Sequence, residues 1–260
     1  MILATETQIK AKKQKKEKPK ETTPEFIASM AVILVTGLFI ITFTLQAFEI
    51  PSESMVGTLL IGDHVFVDRV RVAPRSSWIS WLVPYRDLHR GDLVVFLSPS
   101  QPGLYVVKRV IGAPGDRLHL REGALYLNGQ KRNEPYVRHE GDRNPYRDNF
   151  PQVRPYYFDG VTQEWQLTQS NYIEGEDIVV PPDRYFAMGD NRDRSLDSRY
   201  WGFIPKENVI GRPMFIYWSF NTPEGQYMKR TIGERIGFIV HIVIHFFDET
   251  RWSRMFHVVR

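Results

Sequence analysis

Residues 26–48 form a run of 23 residues with no charged side chain, closed by Glu49. As a helix such a run extends about 34 Å, long enough to cross a bilayer. The competing reading is a cleaved leader, which wants an apolar core of about 7–15 residues followed by a small-x-small site. Leu45-Gln46-Ala47-Phe48-Glu49 contains no such site, so the run is read as a single retained anchor. Lys10, Lys12, Lys13, Lys15, Lys16, Lys18 and Lys20 precede it, and no Lys or Arg follows until Arg69. Positive charge beside a span stays in the cytoplasm. Residues 1–25 are therefore expected as a basic cytoplasmic tail, disordered in itself, with everything from Glu49 onward outside the cytoplasm.

Beyond the anchor, the composition bounds the rest. At 42% hydrophobic and 25% charged residues, the chain can bury one core of about 200 residues. Seventeen prolines and eighteen glycines are spread among short Val, Ile, Phe and Tyr runs. That distribution favours strands and turns over a helical bundle and predicts a mainly β globular part. The net charge of +4 is modest and the basic residues are not gathered with aromatics into one stripe, which excludes nucleic acid as the expected partner. With no cysteine there can be no disulfide, thiolate metal site or cysteine nucleophile.

Residues 59–68 read as a turn feeding a strand, 91–96 as a strand opened by a glycine turn, and 105–111 as a third strand ending in a turn at 112–116. The three are expected in one sheet. Residues 117–130 alternate with period two between turn residues, which predicts a hairpin in a separate lobe. Residues 138–175 are polar, aromatic and proline-bearing, and are expected as an irregular insertion. After Pro181-Pro182, residues 185–188 return to the core. Two apolar segments invite a membrane reading. Trp78-Ile79-Ser80-Trp81-Leu82-Val83-Pro84-Tyr85 suits an interface belt. Residues 236–247 are uncharged but too short to span, so they are expected as an interfacial or core-packed helix.

For chemistry, Ser54 lies in Ser52-Glu53-Ser54-Met55 just past the anchor, and Lys108 sits in the apolar strand Tyr105-Val106-Val107-Lys108-Arg109. A serine hydroxyl needs an adjacent base, and a lysine withdrawn from water can become one. Taken singly, each has a plainer reading: a serine after proline is a turn residue, and a strand lysine guards an edge. His64 is a rival base, although its strand position suits packing. The loop Gly189-Asp190-Asn191-Arg192-Asp193-Arg194-Ser195-Leu196-Asp197-Ser198-Arg199-Tyr200-Trp201-Gly202 carries three carboxylates, but their spacing does not match a calcium loop and no metal is expected. Its alternating Asp and Arg are expected to form internal ion pairs and Asx turns that make the loop rigid.

Four segments in order then carry a resemblance: Ile50-Pro51-Ser52-Glu53-Ser54-Met55, Arg90-Gly91-Asp92-Leu93-Val94-Val95-Phe96, Lys108-Arg109-Val110-Ile111-Gly112-Ala113-Pro114-Gly115-Asp116, and the charged loop extended through Phe203-Ile204-Pro205. The chain resembles the bacterial type I signal peptidases from Glu49 to about Tyr217. The resemblance implies a serine endopeptidase that removes signal peptides at small-x-small sites, needing no cofactor. It implies a mainly β fold, a catalytic core with an inserted second β lobe on one N-terminal transmembrane helix. The corresponding divisions are a tail at 1–25, an anchor at 26–48, a core over 49–116 and 185–220, an inserted lobe over 117–184, and a C-terminal part over 221–260 with the interfacial or core-packed helix. By position Ser54 is the nucleophile and Lys108 the general base. Ser52 and the Ser54 amide make the oxyanion hole. Ser195 orients the lysine, and Asp190, Asp197 and Arg199 buttress the site. The partners implied are signal-peptide-bearing precursors, the lipid bilayer of the inner (plasma) membrane and proximity to the protein-export channel. The family has proline where this chain has Gly57, which is expected to loosen the turn after the nucleophile.

The implied chemistry makes a physical demand. A solvated lysine titrates near pH 10.4 and is no base at neutral pH, so apolar neighbours, Met55 and the Ala187-Met188 strand among them, are expected to exclude water from the Lys108 amine. Nearby Asp and Arg should neutralise each other, because a free carboxylate would raise the amine's pKa. The activity should then be alkaline-shifted. The alternative from another class is an extracytoplasmic, membrane-anchored β-rich binding protein without catalysis, which gives Ser54 and Lys108 no work. A self-cleaving serine/lysine protease is disfavoured, because no DNA-binding module precedes the anchor.

Overall fold

The structure is a computed structural model that describes residues 22–72, 81, 85–152, 159–223, 225–229 and 231–259. The lysine-rich tail and most of the Trp78-to-Tyr85 cluster lie outside the described residues; Trp81, within them, is 82% exposed. The chain divides into two units, Met1–Phe39 and Ile40–Arg260.

The first unit contains helix α1 (Thr23–Phe39), which buries none of its residues. Phe26, Ile27, Ile33, Leu34 and Val35 are all more than half exposed. A helix this apolar with no buried residue fits a membrane span by length and composition. The stretch long and apolar enough to cross a membrane is Thr23–Thr42, 20 residues. The uncharged run read as one helix to Phe48 divides: Ile40–Thr44 is a π-helical turn, and Leu45–Glu49 is already a strand, β1. Its five residues pair antiparallel with β2 (Asp63–Asp68), from Leu45 opposite Asp68 to Glu49 opposite His64. The apolar run hid this switch, because strand and helix share its composition.

The second unit is mainly β, as expected. Its larger sheet has seven strands. β3 (Leu93–Leu97) and β4 (Tyr105–Gly112) pair with each other, and β10 (Arg184–Met188) and β11 (Ile204–Pro205) extend the sheet beyond β4. β12 (Val209–Ser219) lies between β2 and β3. The three strands expected in one sheet are thus all in it, but β2 and β3 are not neighbours. The smaller sheet has the order β7-β6-β5-β9-β8, built from β5 (Arg117–Arg121), β6 (Ala124–Leu127), β7 (Gln130–Lys131), β8 (Ile173–Glu174) and β9 (Asp177–Val179). Its β5–β6 and β6–β7 hairpins turn at Glu122-Gly123 and Asn128-Gly129, where all four residues have positive φ. Two successive left-handed residues are what the tightest hairpin turn requires, and Asn-Gly supplies them cheaply.

The segment expected to be irregular is partly helical. α2 (Pro145–Asp148) is capped by Asn144, and α3 (Gln163–Thr168) by Thr162. Tyr146 and Trp165 from these helices join Leu118, Leu120 and Ile178 of the smaller sheet in one buried cluster, which also takes in Ile111, Phe186 and Met188 of the larger sheet. The insertion is therefore one wall of a core shared by both sheets. Val107 of β4 belongs to a second cluster with Met55, Leu59, Val65 and Ile216, and Val110 to a third with Phe96 and Ala187. Strand β4 is exposed only at its start and contributes to all three clusters, so Lys108 and Arg109 in its buried part are held away from solvent. The turn α4 (Ser198–Trp201) follows the charged loop, and the C-terminal helix α5 (Ile232–Ile244) opens with a Thr231/Glu234 capping box.

Candidate active site

Ser54 and Lys108 meet. Lys108 Nζ donates to Ser54 Oγ at 2.6 Å, and the two residues are 2% and 7% exposed. Ser54 is the second residue of a 3-10 turn, Glu53–Met55, that follows the extended Ser52. At that position its backbone N–H has no acceptor within the turn. The Ser52 hydroxyl makes no capping bond and instead lies 3.3 Å from Ser54 Oγ. One hydroxyl and one amine thus converge on the Ser54 side chain.

Burial is what changes the amine. It pulls the Lys108 pKa down to about 8, with the Arg199 charge acting in the same direction and the Asp197 and Asp190 carboxylates opposing it. The opposition is muted because each carboxylate has its own arginine. Asp197 takes Arg199 Nε at 2.8 Å and Nη2 at 2.7 Å. Asp190 takes Arg109 Nε at 2.8 Å and Nη2 at 2.7 Å. These bidentate pairs are among the strongest a protein makes, and they leave little net negative charge to hold a proton on the lysine. Although burial works against it, Asp197 is held below its usual range, chiefly by the Arg199 charge and hydrogen bonds. Met55, Ala187 and Met188 are fully buried.

The charged loop is fixed more from outside than from within. Asp197–Arg199 is internal, but Arg192 pairs with Glu134 at 2.6 Å, Asp193 with Arg147 at 3.1 Å, and Arg194 with Glu53 at 2.6 Å. The expectation of mostly internal pairs missed these because their partners lie 46 to 141 residues away. The loop also reaches the nucleophile directly, since Asn191 N–H donates to the Ser54 carbonyl at 3.1 Å. Gly189 is wedged against both the Ser54 carbonyl and Ser195 Oγ, leaving no room for a side chain. Ser195 Oγ is buried without a hydrogen-bond partner among the described residues, so it makes no bond to Lys108 in this state.

Three contributors went unremarked in the sequence. Arg109 fastens Asp190, donates to the Gly91 carbonyl at 2.8 Å and stacks over Tyr136 with its guanidinium 4.0 Å from the ring centre. Thr58 Oγ1 donates to Asp190 at 2.6 Å. A second cation beside Lys108 in a buried strand was a visible signal, whereas Thr58 and Tyr136 had none. His64, the rival base, stacks on Trp218 with ring centres 4.7 Å apart; the sequence's packing reading describes it. Gly57 has φ +110°, and its turn is closed by Thr58 and Leu59 N–H bonds to the Met55 carbonyl at 3.0 and 2.8 Å. Proline, fixed at about −65°, does not fit this backbone.

Hydroxyl, neutral-capable amine and convergent donors are the apparatus of nucleophilic acyl transfer. Comparison with known proteins agrees with that class. A family described as "Signal peptidase, peptidase S26" matches residues 23–218. The chain is 30% identical to signal peptidase I of Buchnera aphidicola subsp. Acyrthosiphon pisum over 269 residues, covering 87% of this chain and 85% of that one. It is 31% identical to signal peptidase I of Pseudomonas aeruginosa, covering 77% and 74% of the two chains. With signal peptidase I of Rickettsia typhi the identity is 30%, over 78% and 83%. A crystal structure of a signal peptidase I from Enterococcus faecalis V583 matches at 29% identity over 49% of this chain and 97% of that one, with a TM-score of 0.33, too loose to carry an argument.

Proposed function

The chain belongs to the signal peptidase, peptidase S26, family, and on that premise we propose that it cleaves signal peptides from exported precursors with Ser54 as nucleophile and Lys108 as general base. The observation that carries this is the 2.6 Å contact between Ser54 Oγ and a buried Lys108 amine whose pKa is about 8. In its neutral form the amine takes the Ser54 proton as Oγ attacks the scissile carbonyl. The oxyanion accepts from the Ser54 amide and the Ser52 hydroxyl. The ammonium then protonates the leaving amine, and the restored base activates the water that releases the acyl group from Ser54. Asp190, Asp197 and Arg199 hold the loop and balance charge, while Met55 helps exclude water. Ser195 orients the amine once substrate fills the site.

The substrate is an extended segment ending in small residues, suited to pairing its main chain with a strand. The apolar α1 anchors the chain in the inner membrane with its basic tail in the cytoplasm and the catalytic unit outside. The outward side of α5, with Ile232, Ile236, Ile239, Val243 and Ile244 all more than half exposed, is the surface for the lipid interface. A site held there is near the export channel from which precursors emerge. A non-catalytic binding role leaves the buried amine and its compensated carboxylates without a purpose.

The test is cleavage of a signal-bearing precursor by the full-length protein in detergent, with the product's N-terminus sequenced. Ser54→Ala and Lys108→Ala should abolish product while His64→Ala retains it. Normal cleavage by Lys108→Ala would overturn the mechanism, and an inert wild type would overturn the function.

A further inference from the structure

Helix α5 is amphipathic in an unusual sense. Its outward side is apolar, whereas its half-buried side, formed by Phe238, His241, Ile242 and His245, carries the histidines. His241 and His245 are one turn apart with ring centres at 4.5 Å. The chain continues past the helix and returns Glu249 to the same spot, its Oε2 3.0 Å from His241 Nε2. One ligand atom from each of the three lies within 4.8 Å of the other two. Around a tetrahedral zinc ion the donor atoms stand about 3.3 Å apart, so one pair is already at that spacing and the third needs only a small side-chain adjustment.

A fourth residue prepares the set. Asp248 Oδ2 lies 2.9 Å from His245 Nδ1. An imidazole that donates Nδ1–H to a carboxylate presents the lone pair of Nε2, the tautomer a metal requires, and this carboxylate–histidine arrangement recurs behind zinc ligands. Phe238 stacks on His241 at 6.2 Å and Phe220 meets it edge-on at 6.1 Å, restricting the ring. The three side chains remain 26–39% exposed, which leaves a path for the ion and a place for water.

We propose that His241, His245 and Glu249 form a binding site for zinc, completed by a water molecule, with Asp248 orienting His245. Two imidazoles and one carboxylate suit zinc and its borderline neighbours over magnesium or calcium, which favour all-oxygen sets. The site has a structural consequence. Glu249 offers its carbonyl to Asn221 N–H at 3.0 Å, and Arg251 N–H donates to the Ser219 carbonyl at 2.8 Å at the end of β12. Zinc therefore clips α5 to a segment already fastened to the larger sheet, stiffening the helix that carries the apolar outward face.

The experiment uses full-length, tag-free protein in detergent, stripped with chelator and titrated with Zn2+ by calorimetry and with Co2+ by visible absorption. Wild type should bind one equivalent of Zn2+ with micromolar affinity, give the intense visible bands of tetrahedral Co2+, and ignore Mg2+. His241→Ala and His245→Gln should each weaken Zn2+ at least tenfold, and Asp248→Asn should weaken it about tenfold. Precursor cleavage by the stripped variants should match stripped wild type, which establishes that they are folded. Absence of a saturable equivalent, weak octahedral Co2+ bands in wild type, an equal response to Mg2+, or unchanged affinity in both histidine variants would each overturn the site.

Discussion

Lys108 and Ser54 are 54 residues apart in sequence, yet the amine of one lies 2.6 Å from the hydroxyl of the other in a dry interior. The contact is made by the strand that contributes to three core clusters and a 3-10 turn fastened to the charged loop. The fold therefore holds a group that would be more stable in water.

That cost is measurable. The Lys108 amine titrates at 10.5 in the unfolded chain and about 8 in the fold. Between those values the unfolded state binds more protons, so stability should rise with pH across that window, and below pH 8 the penalty is present in full. Lys108→Met should stabilise the protein at pH 7 by about 3 kcal/mol, and the gain should fade as pH approaches the upper value. Denaturant unfolding of both proteins at several pH values checks this.

The Asp197–Arg199 pair should set where the amine titrates. Arg199→Met removes a charge that lowers the Lys108 pKa and frees the carboxylate that raises it. The acid limb of the pH–rate profile should move to higher pH. Asp197→Asn should move the limb to lower pH, at a stability loss of about 3–5 kcal/mol for the buried arginine left unpaired. Profiles that move together, or not at all, would contradict the coupling.

Ser195 separates a positioning role from a structural one. Its buried hydroxyl has no partner among the described residues, so Ser195→Ala should leave the melting temperature unchanged or raise it slightly. If the hydroxyl orients the amine during turnover, kcat should fall at least tenfold with KM little changed, and Ser195→Thr should restore part of it. Steady-state kinetics beside thermal melts decide between the two.

At Gly57 a side chain would meet the Tyr136 carbonyl at 3.0 Å and the Arg138 Cγ at 3.2 Å, on a backbone at φ +110°. Gly57→Ala should cost about 1–3 kcal/mol. Gly57→Pro should cost more and lower activity, because it must rebuild the turn that holds Ser54. Paired unfolding and activity measurements test both.

Much of this was legible in the chain. Ser52, Ser54, Lys108, Asp190, Asp197 and Arg199 sit in short segments recognisable in the sequence; apolar runs bounded by turn residues announced β2, β3 and β4, and period-two alternation announced the β5–β6 hairpin. What stayed hidden depends on distant partners. No local pattern places β12 between β2 and β3, and none ties Arg192 to Glu134 or Thr58 to Asp190. The strand β1 was masked because its five residues continue an apolar run. The insertion looked irregular because its helices are only four and six residues long, too short for a 3.6-residue period to register.

The most direct test of the Ser54/Lys108 account is the pH dependence of kcat/KM for precursor cleavage by the full-length enzyme, from about pH 6 to pH 10. With an amine at about 8 as the base, the rate should rise tenfold per pH unit on the acid side and level off above that value. A limb near pH 6.5, where an unperturbed histidine titrates, or a profile flat down to pH 6, would contradict it.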